Sequence, residues 1–150
     1  MGGNWDDQAV PLLNATTFGA MYLARGKQPI GMAFHAEVSF IQSVEVPCQT
    51  PEQQRRAGMY VPPAATWVLL AGQSIHELCK SDYHRKDGAP GSVWDGDEWL
   101  WGKGRGYSLG RWTFWKKRFG EIATTQGLKD DVKDIAARAA SEMGIIEGQA

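Results

Sequence analysis

Cysteine is scarce, with only Cys48 and Cys79 in 150 residues. They form no CxxC pair and have no histidine nearby at ligand spacing, so neither a zinc site nor a disulfide scaffold is indicated. Two reduced, packing thiols are the simpler reading. An excess of charge of either sign is also missing, since 16 Lys plus Arg face 17 Asp plus Glu and the net charge is −1. Such a balance advertises no phosphate-tracking surface, and nucleic acid is not an expected partner. The longest apolar run, Ala64 to Ala71 with Thr66 inside it, is far short of the roughly 18 residues that a membrane span requires. The acidic start from Met1 to Asp7 is not followed by a secretory apolar stretch, and Asp6 stands where a myristoylation start needs Ser or Thr. A cytoplasmic protein without membrane attachment is expected. Histidine is limited to His35, His76 and His84, in separate segments and never at i, i+4 spacing, so no metal site is expected.

Strands are equally hard to find. No alternation of apolar and polar residues is long enough for one, and no repeat of fixed period is visible. Helical spacing is abundant instead. Asn14, formally part of an Asn14-Ala15-Thr16 sequon, reads as the N-cap of a helix from Ala15 to Arg25 with Phe18, Met21 and Tyr22 on one face and Gly26 past its end. A second helix opens at Pro29 and places Ile30, Phe34, Val38 and Ile41 on one stripe before Pro47 stops it. Thr50-Pro51-Glu52-Gln53 has the form of a capping box and predicts a short helix ending near Gly58. The next helix starts around Pro62 and Pro63 and carries Ala64, Val68, Ala71, Ile75 and Leu78. With Trp67, Leu69 and Leu70 on its neighbouring faces it should be central. Ser108 caps a fifth helix with Leu109, Trp112, Trp115, Phe119 and Ile122 in line, and Asp130 and Asp131 open a last one with Val132, Ile135, Ala136, Ala139 and Met143.

The expectation is therefore one all-α domain over 1–150, a compact bundle of five or six helices, with frayed tails at 1–13 and 145–150. A long loop over 81–107, rich in glycine and tryptophan, precedes the fifth helix, with a short helical turn across Asp97 to Trp101.

Two segments of the second half, GYSLGRWTFWKKRFGEIA (Gly106 to Ala123) and DDVKDIAARAASEM (Asp130 to Met143), resemble a family of helical fungal proteins catalogued as domain of unknown function thirty-six thirty-two. NATTFGAMYLARG and VPPAATWVLLAGQSIHEL are similar to the first and middle helices of that family. The resemblance implies a fungal, cytosolic, all-helical protein and carries over no substrate or catalytic residue. The chain is shorter than its typical members around the second and third helices.

Five of the seven tryptophans lie between Trp94 and Trp115, in the same window as Asp95, Asp97, Glu98, Tyr107 and Arg111. Flat rings beside a few polar groups are what a pocket for an organic ligand requires. On this reading Trp94, Trp99, Trp101, Tyr107 and Arg111 bind a small apolar or aromatic molecule, and Asp97, Glu98 and His76 supply proton transfer, as in a cofactor-independent biosynthetic cyclase or isomerase. Packing competes with this for every residue: Trp112 and Trp115 fall on the core stripe, and the loop tryptophans can simply pin the loop down. Gly102-Lys103-Gly104-Arg105-Gly106 resembles a phosphate cradle only superficially, with no strand before it and no Gly-Lys-Ser/Thr ending. Lys116-Lys117-Arg118 reads as a solvated face. No motif calls for a cofactor. The alternative is a non-catalytic domain whose exposed aromatics form a protein-partner surface.

Overall fold

The computed structural model describes residues 3–25, 30–83 and 100–149. These form five α-helices, α1 (Gly3–Ala24), α2 (Ile30–Ser43), α3 (Pro51–Lys80), α4 (Leu109–Ala123) and α5 (Asp130–Gln149), with no strand among them. The all-α expectation holds. The longest helix, α3, packs against all four of the others and forms the axis of the bundle.

α3 begins as its sequence predicts: Thr50 Oγ1 accepts from the Gln53 N–H at 3.2 Å, and the Gln53 side chain accepts from the Thr50 N–H at 3.1 Å. It does not stop at Gly58. One helix runs through Pro62 and Pro63 to Lys80, and its dihedrals leave the helical range at Ala71 instead (φ −132°, ψ 21°). Two prolines delete two backbone donors and cost roughly 3 kcal/mol each in an isolated helix. Here Val61, Pro63, Ala64 and Ala65 are all buried, and that packing outweighs local propensity. The expected stripe of Ala64, Val68, Ala71, Ile75 and Leu78 is buried throughout.

α1 departs further from expectation. Asn14 lies inside the helix, not at its cap, and helix already covers residues 3–13. The face carrying Phe18, Met21 and Tyr22 points outward, with Phe18 68% exposed. The inward face is made of Thr16, Gly19, Ala20 and Leu23. Close approach explains the choice: a Cβ on Gly19 would sit 3.0 Å from Cη2 of Trp67, so the missing side chain makes room for that indole. The Ser74 hydroxyl then donates to the carbonyl of Leu23 at 3.2 Å.

In α2 the buried positions are Ala33, Ala36, Glu37, Phe40, Ile41 and Ser43, while Phe34 and Val38 are half-buried. In α4, Ser108 caps as predicted, its hydroxyl accepting from the Arg111 N–H at 3.0 Å. Trp112, Trp115, Phe119 and Ile122 are buried, whereas Leu109 is exposed. α5 buries Val132, Ala136, Ala139 and Met143 as expected and continues past Gly144 to Gln149. Its final turn is held because Ile146 fills a notch at Gly72, where a Cβ would meet Ile146 Cδ1 at 2.5 Å. The predicted helical turn over 97–101 falls largely outside the described residues, and Leu100 and Trp101 are not helical.

Candidate functional site

The most concentrated chemistry lies where α2, the segment 100–108 and α4 meet. Arg111, 1% exposed, stands in the first turn of α4. Its Nε and Nη2 donate to the two oxygens of Glu45 at 2.6 and 2.8 Å, and its Nη1 donates to Glu37 Oε2 at 2.6 Å and to the Gly106 carbonyl at 2.9 Å. The guanidinium has five N–H donors in a planar fork, and the pairing with Glu45 is bidentate. Four of the five are thus committed to the protein itself.

Each carboxylate is also well supplied. Glu45 Oε2 accepts from Trp115 Nε1 at 2.6 Å. Glu37 accepts from Arg105 Nε and Nη2 at 3.0 and 3.1 Å and from the Gly106 N–H at 2.8 Å. Two arginines and two glutamates balance, as buried charge requires. Burial pushes the Glu37 carboxyl up, but bonds from Arg105 and Gly106 and the charges of both arginines outweigh it and hold it below the usual carboxylate range. Burial likewise disfavours the Arg111 cation, and the bonds and charge of Glu45, followed by Glu37, overcome that and raise its pKa. Among the described residues, no buried side-chain nitrogen or oxygen lacks a hydrogen-bond partner.

The glycine-rich segment owes its shape to this network. Gly106 takes φ +106°, a region that side chains disfavour, and in that conformation its N–H reaches Glu37 while its carbonyl reaches Arg111. The loop that superficially resembles a phosphate cradle therefore holds an internal carboxylate. Tyr107 follows, 3% exposed, with its hydroxyl donating to the Ala33 carbonyl at 2.6 Å and its N–H to the Tyr83 carbonyl at 2.7 Å. Burial first, then the charge of Glu37, raises its pKa well above the ordinary phenol value. Arg118 completes the join, donating to the carbonyls of Val44 and Val46 at 2.8 and 3.0 Å just past the end of α2.

A second cluster joins α3, α4 and α5. His76 is buried with its ring 4.6 Å from that of Trp112. Trp112 Nε1 donates to Glu147 Oε1 at 2.7 Å, and Lys116 Nζ reaches Glu147 Oε2 at 2.6 Å. Slight burial of Glu147 works to raise its pKa, and the Lys116 and Trp112 bonds more than cancel this, so the carboxyl is held low. No hydrogen bond links this cluster to the arginine network among the described residues.

Of the eight residues that the sequence singles out, Trp94, Asp97, Glu98 and Trp99 lie outside the described residues. Tyr107 and Arg111 come together, in a buried network where their polar atoms face protein partners. His76 sits in the other cluster. Trp101 is half-buried, with its ring 5.2 Å from Phe114, the Arg111 guanidinium 6.0 Å from its centroid and Lys103 Nζ at 5.3 Å. Glu37, Glu45 and Glu147 went unnoticed in the sequence. A signal existed for the first two: between Ala33 and Pro47 they are the only acids, no lysine or arginine stands among them, and such acids in an apolar stretch require a distant cation. Among the described residues no three His, Cys, Asp or Glu side chains group as a metal ion would require.

These features define an all-helical protein organised around a buried arginine–glutamate network, with its signature segment GYSLGRW in the middle of that network. The chain belongs to the family described as Protein of unknown function (DUF3632), which matches residues 2–119. The match ends within α4, so DDVKDIAARAASEM lies beyond it, although α5 supplies part of the same core. No curated protein and no solved structure matches the chain. No described helix is long and apolar enough to cross a membrane.

Proposed function

We propose that this chain is a non-catalytic protein-interaction domain whose contact surface is the outer face of α1. The observation that carries this reading is the exposure of Phe18, Met21 and Tyr22 (68%, 47% and 37%) on one face of a helix whose other face is closely packed. Clustered exposed aromatics and methionine are the composition of a partner surface, where truncating one ring removes much of the affinity. Leu70, a further exposed apolar residue (43%), lies on α3 between Trp67 and Ser74, which both contact α1. The commitment of Tyr107 and Arg111 to internal bonds speaks against their use on a ligand. Buried thiols support a cytoplasmic setting: desolvation pushes Cys79 up to about 12 and also raises Cys48, so neither is poised for oxidation. The fungal origin in this reading rests on the resemblance of the signature segments.

A photocrosslinking amino acid at Met21, compared with one at exposed Thr113 on α4, tests the proposal in cells. Expected is a discrete protein adduct from position 21, absent from position 113 and lost on Phe18→Glu. Equal labelling from both positions, or none from either, would refute it.

A second reading, binding of a small aromatic molecule with biosynthetic chemistry, draws support from Trp101, whose half-buried ring lies beside Phe114 and two cations. Trp101→Ala should then abolish binding in a ligand screen read by tryptophan fluorescence while thermal stability is kept. A screen without hits on the unaltered protein counts against it.

A further inference from the structure

The exposed residues of α1 follow a definite spacing. Asn14, Phe18, Met21 and Arg25, separated by four, three and four positions, are all exposed, and Ala15 and Tyr22 flank them. That spacing places all four on one stripe of the helix, the geometry along which a second helix packs. From Leu12 to Ala24 the chain carries no charged residue, so a second identical surface meets no like-charge repulsion. The seam also maps onto itself under a two-fold axis between Gly19 and Ala20. In an antiparallel pair about that axis, Phe18 lies opposite Met21 of the second copy, a ring against a thioether. Asn14 lies opposite Arg25 of the second copy, so the amide oxygen can accept from the guanidinium at each end of the seam.

We infer that α1 is a self-association surface, pairing antiparallel with α1 of a second copy of this chain through Phe18, Met21 and the Asn14–Arg25 ends. The inference rests on the interaction-domain reading above and gives it a specific partner. Stable interfaces generally bury more than about 1,000 Å². Three helical turns provide less, so the pairing is weak and concentration-dependent.

Sedimentation equilibrium of the full chain between about 10 µM and about 1 mM tests it, a range suited to an interface below the stable size class. The weight-average mass is expected to climb from monomer towards dimer. Phe18→Glu should hold it at monomer with unchanged thermal unfolding, because the ring is mostly exposed. Asn14→Glu, facing Arg25 of the second copy, should tighten the dimer several-fold, and Asn14→Arg should weaken it several-fold. A chain that stays monomeric to the top of the range overturns the inference, as does association that both Asn14 variants change in the same direction. If the chain is monomeric while position 21 still crosslinks to a different protein, the inference fails and the interaction-domain reading stands. If it is monomeric and position 21 crosslinks to nothing, both fail.

Discussion

Replacing Arg111 by methionine tests whether the arginine network holds the fold. Methionine keeps the length and apolar stem of the side chain and removes the cation. Glu45, 3% exposed, would then lose both guanidinium bonds and keep only the Trp115 indole among its side-chain donors, while Glu37 would retain Arg105 and the Gly106 N–H. The uncompensated charge is thus concentrated on one buried carboxylate. Breaking a buried pair from one side costs about 3 to 5 kcal/mol. For a domain of this size that corresponds to a fall in Tm of roughly 6 to 20 °C. Urea unfolding at pH 7, followed by helical circular dichroism, measures the loss directly. Glu45→Gln added to Arg111→Met should recover part of it, because neutralising the orphaned carboxylate removes the main penalty while nearly preserving shape. Coupling of about 1 kcal/mol or more in this double-mutant cycle is the expected sign of contact. A loss below about 1 kcal/mol in the single variant, or strictly additive effects in the pair, would mean that the network is incidental to stability.

Other consequences are simpler to check. Glu37 is held below the ordinary carboxylate range, so its charged form stabilises the fold above its unfolded value of about 4.3, and this contribution is lost as pH falls through the folded value. Glu37→Gln should therefore lower stability at pH 7 and flatten the decline on the acid side of about pH 5, as read from Tm against pH. Trp112→Ala, at a position 1% exposed, should cost about 3 to 5 kcal/mol, whereas Trp112→Phe should cost only about 1 to 2 through the lost bond to Glu147; chemical denaturation compares the two. Cys48 and Cys79 should resist a thiol reagent in the native protein at pH 8 and react fully once urea unfolds it, and rapid native labelling of Cys79 would contradict its burial.

Elements defined by local chemistry were legible in the sequence: the Thr50 capping box, the Ser108 cap, the acidic first turn of α5 and the buried stripes of α3, α4 and α5. Those decided by tertiary packing were not. Pro62 and Pro63 are breakers by propensity, yet they ride inside a helix whose neighbours bury it. Phe18, Met21 and Tyr22 form the more hydrophobic face of α1, and hydrophobicity alone puts that face inside. The space beside Trp67 admits only small residues, so Gly19 and Ala20 turn inward. Such a reversal depends on the shape of a partner 48 residues away, which no local pattern contains.

In the candidate site, the clustering of Tyr107 and Arg111 was legible in the sequence, and the partners of Arg111 were not. Arg111 drew attention because aromatic and acidic residues surround it in sequence, and the acids suggested by that neighbourhood were Asp97 and Glu98. Its partners are Glu37 and Glu45, 74 and 66 residues earlier. Helical spacing alone nevertheless constrains the answer. Arg111, Trp115, Phe119 and Ile122 stand at steps of four, four and three, and all four are buried, while Leu109 at the head of the predicted stripe is exposed. An arginine on the apolar stripe of a helix must find carboxylates, because an unpaired buried cation is too costly. The only acids in the apolar stretch before Pro47 are the two that pair with it. That pairing, with the stacking of Phe40 on Trp115, ties α2 to α4 through side chains, and it accounts for the positive φ at Gly106 that lets one glycine serve both charges. The GYSLGRW segment thereby serves the fold itself, with Gly106, Tyr107 and Arg111 all bonded to protein partners.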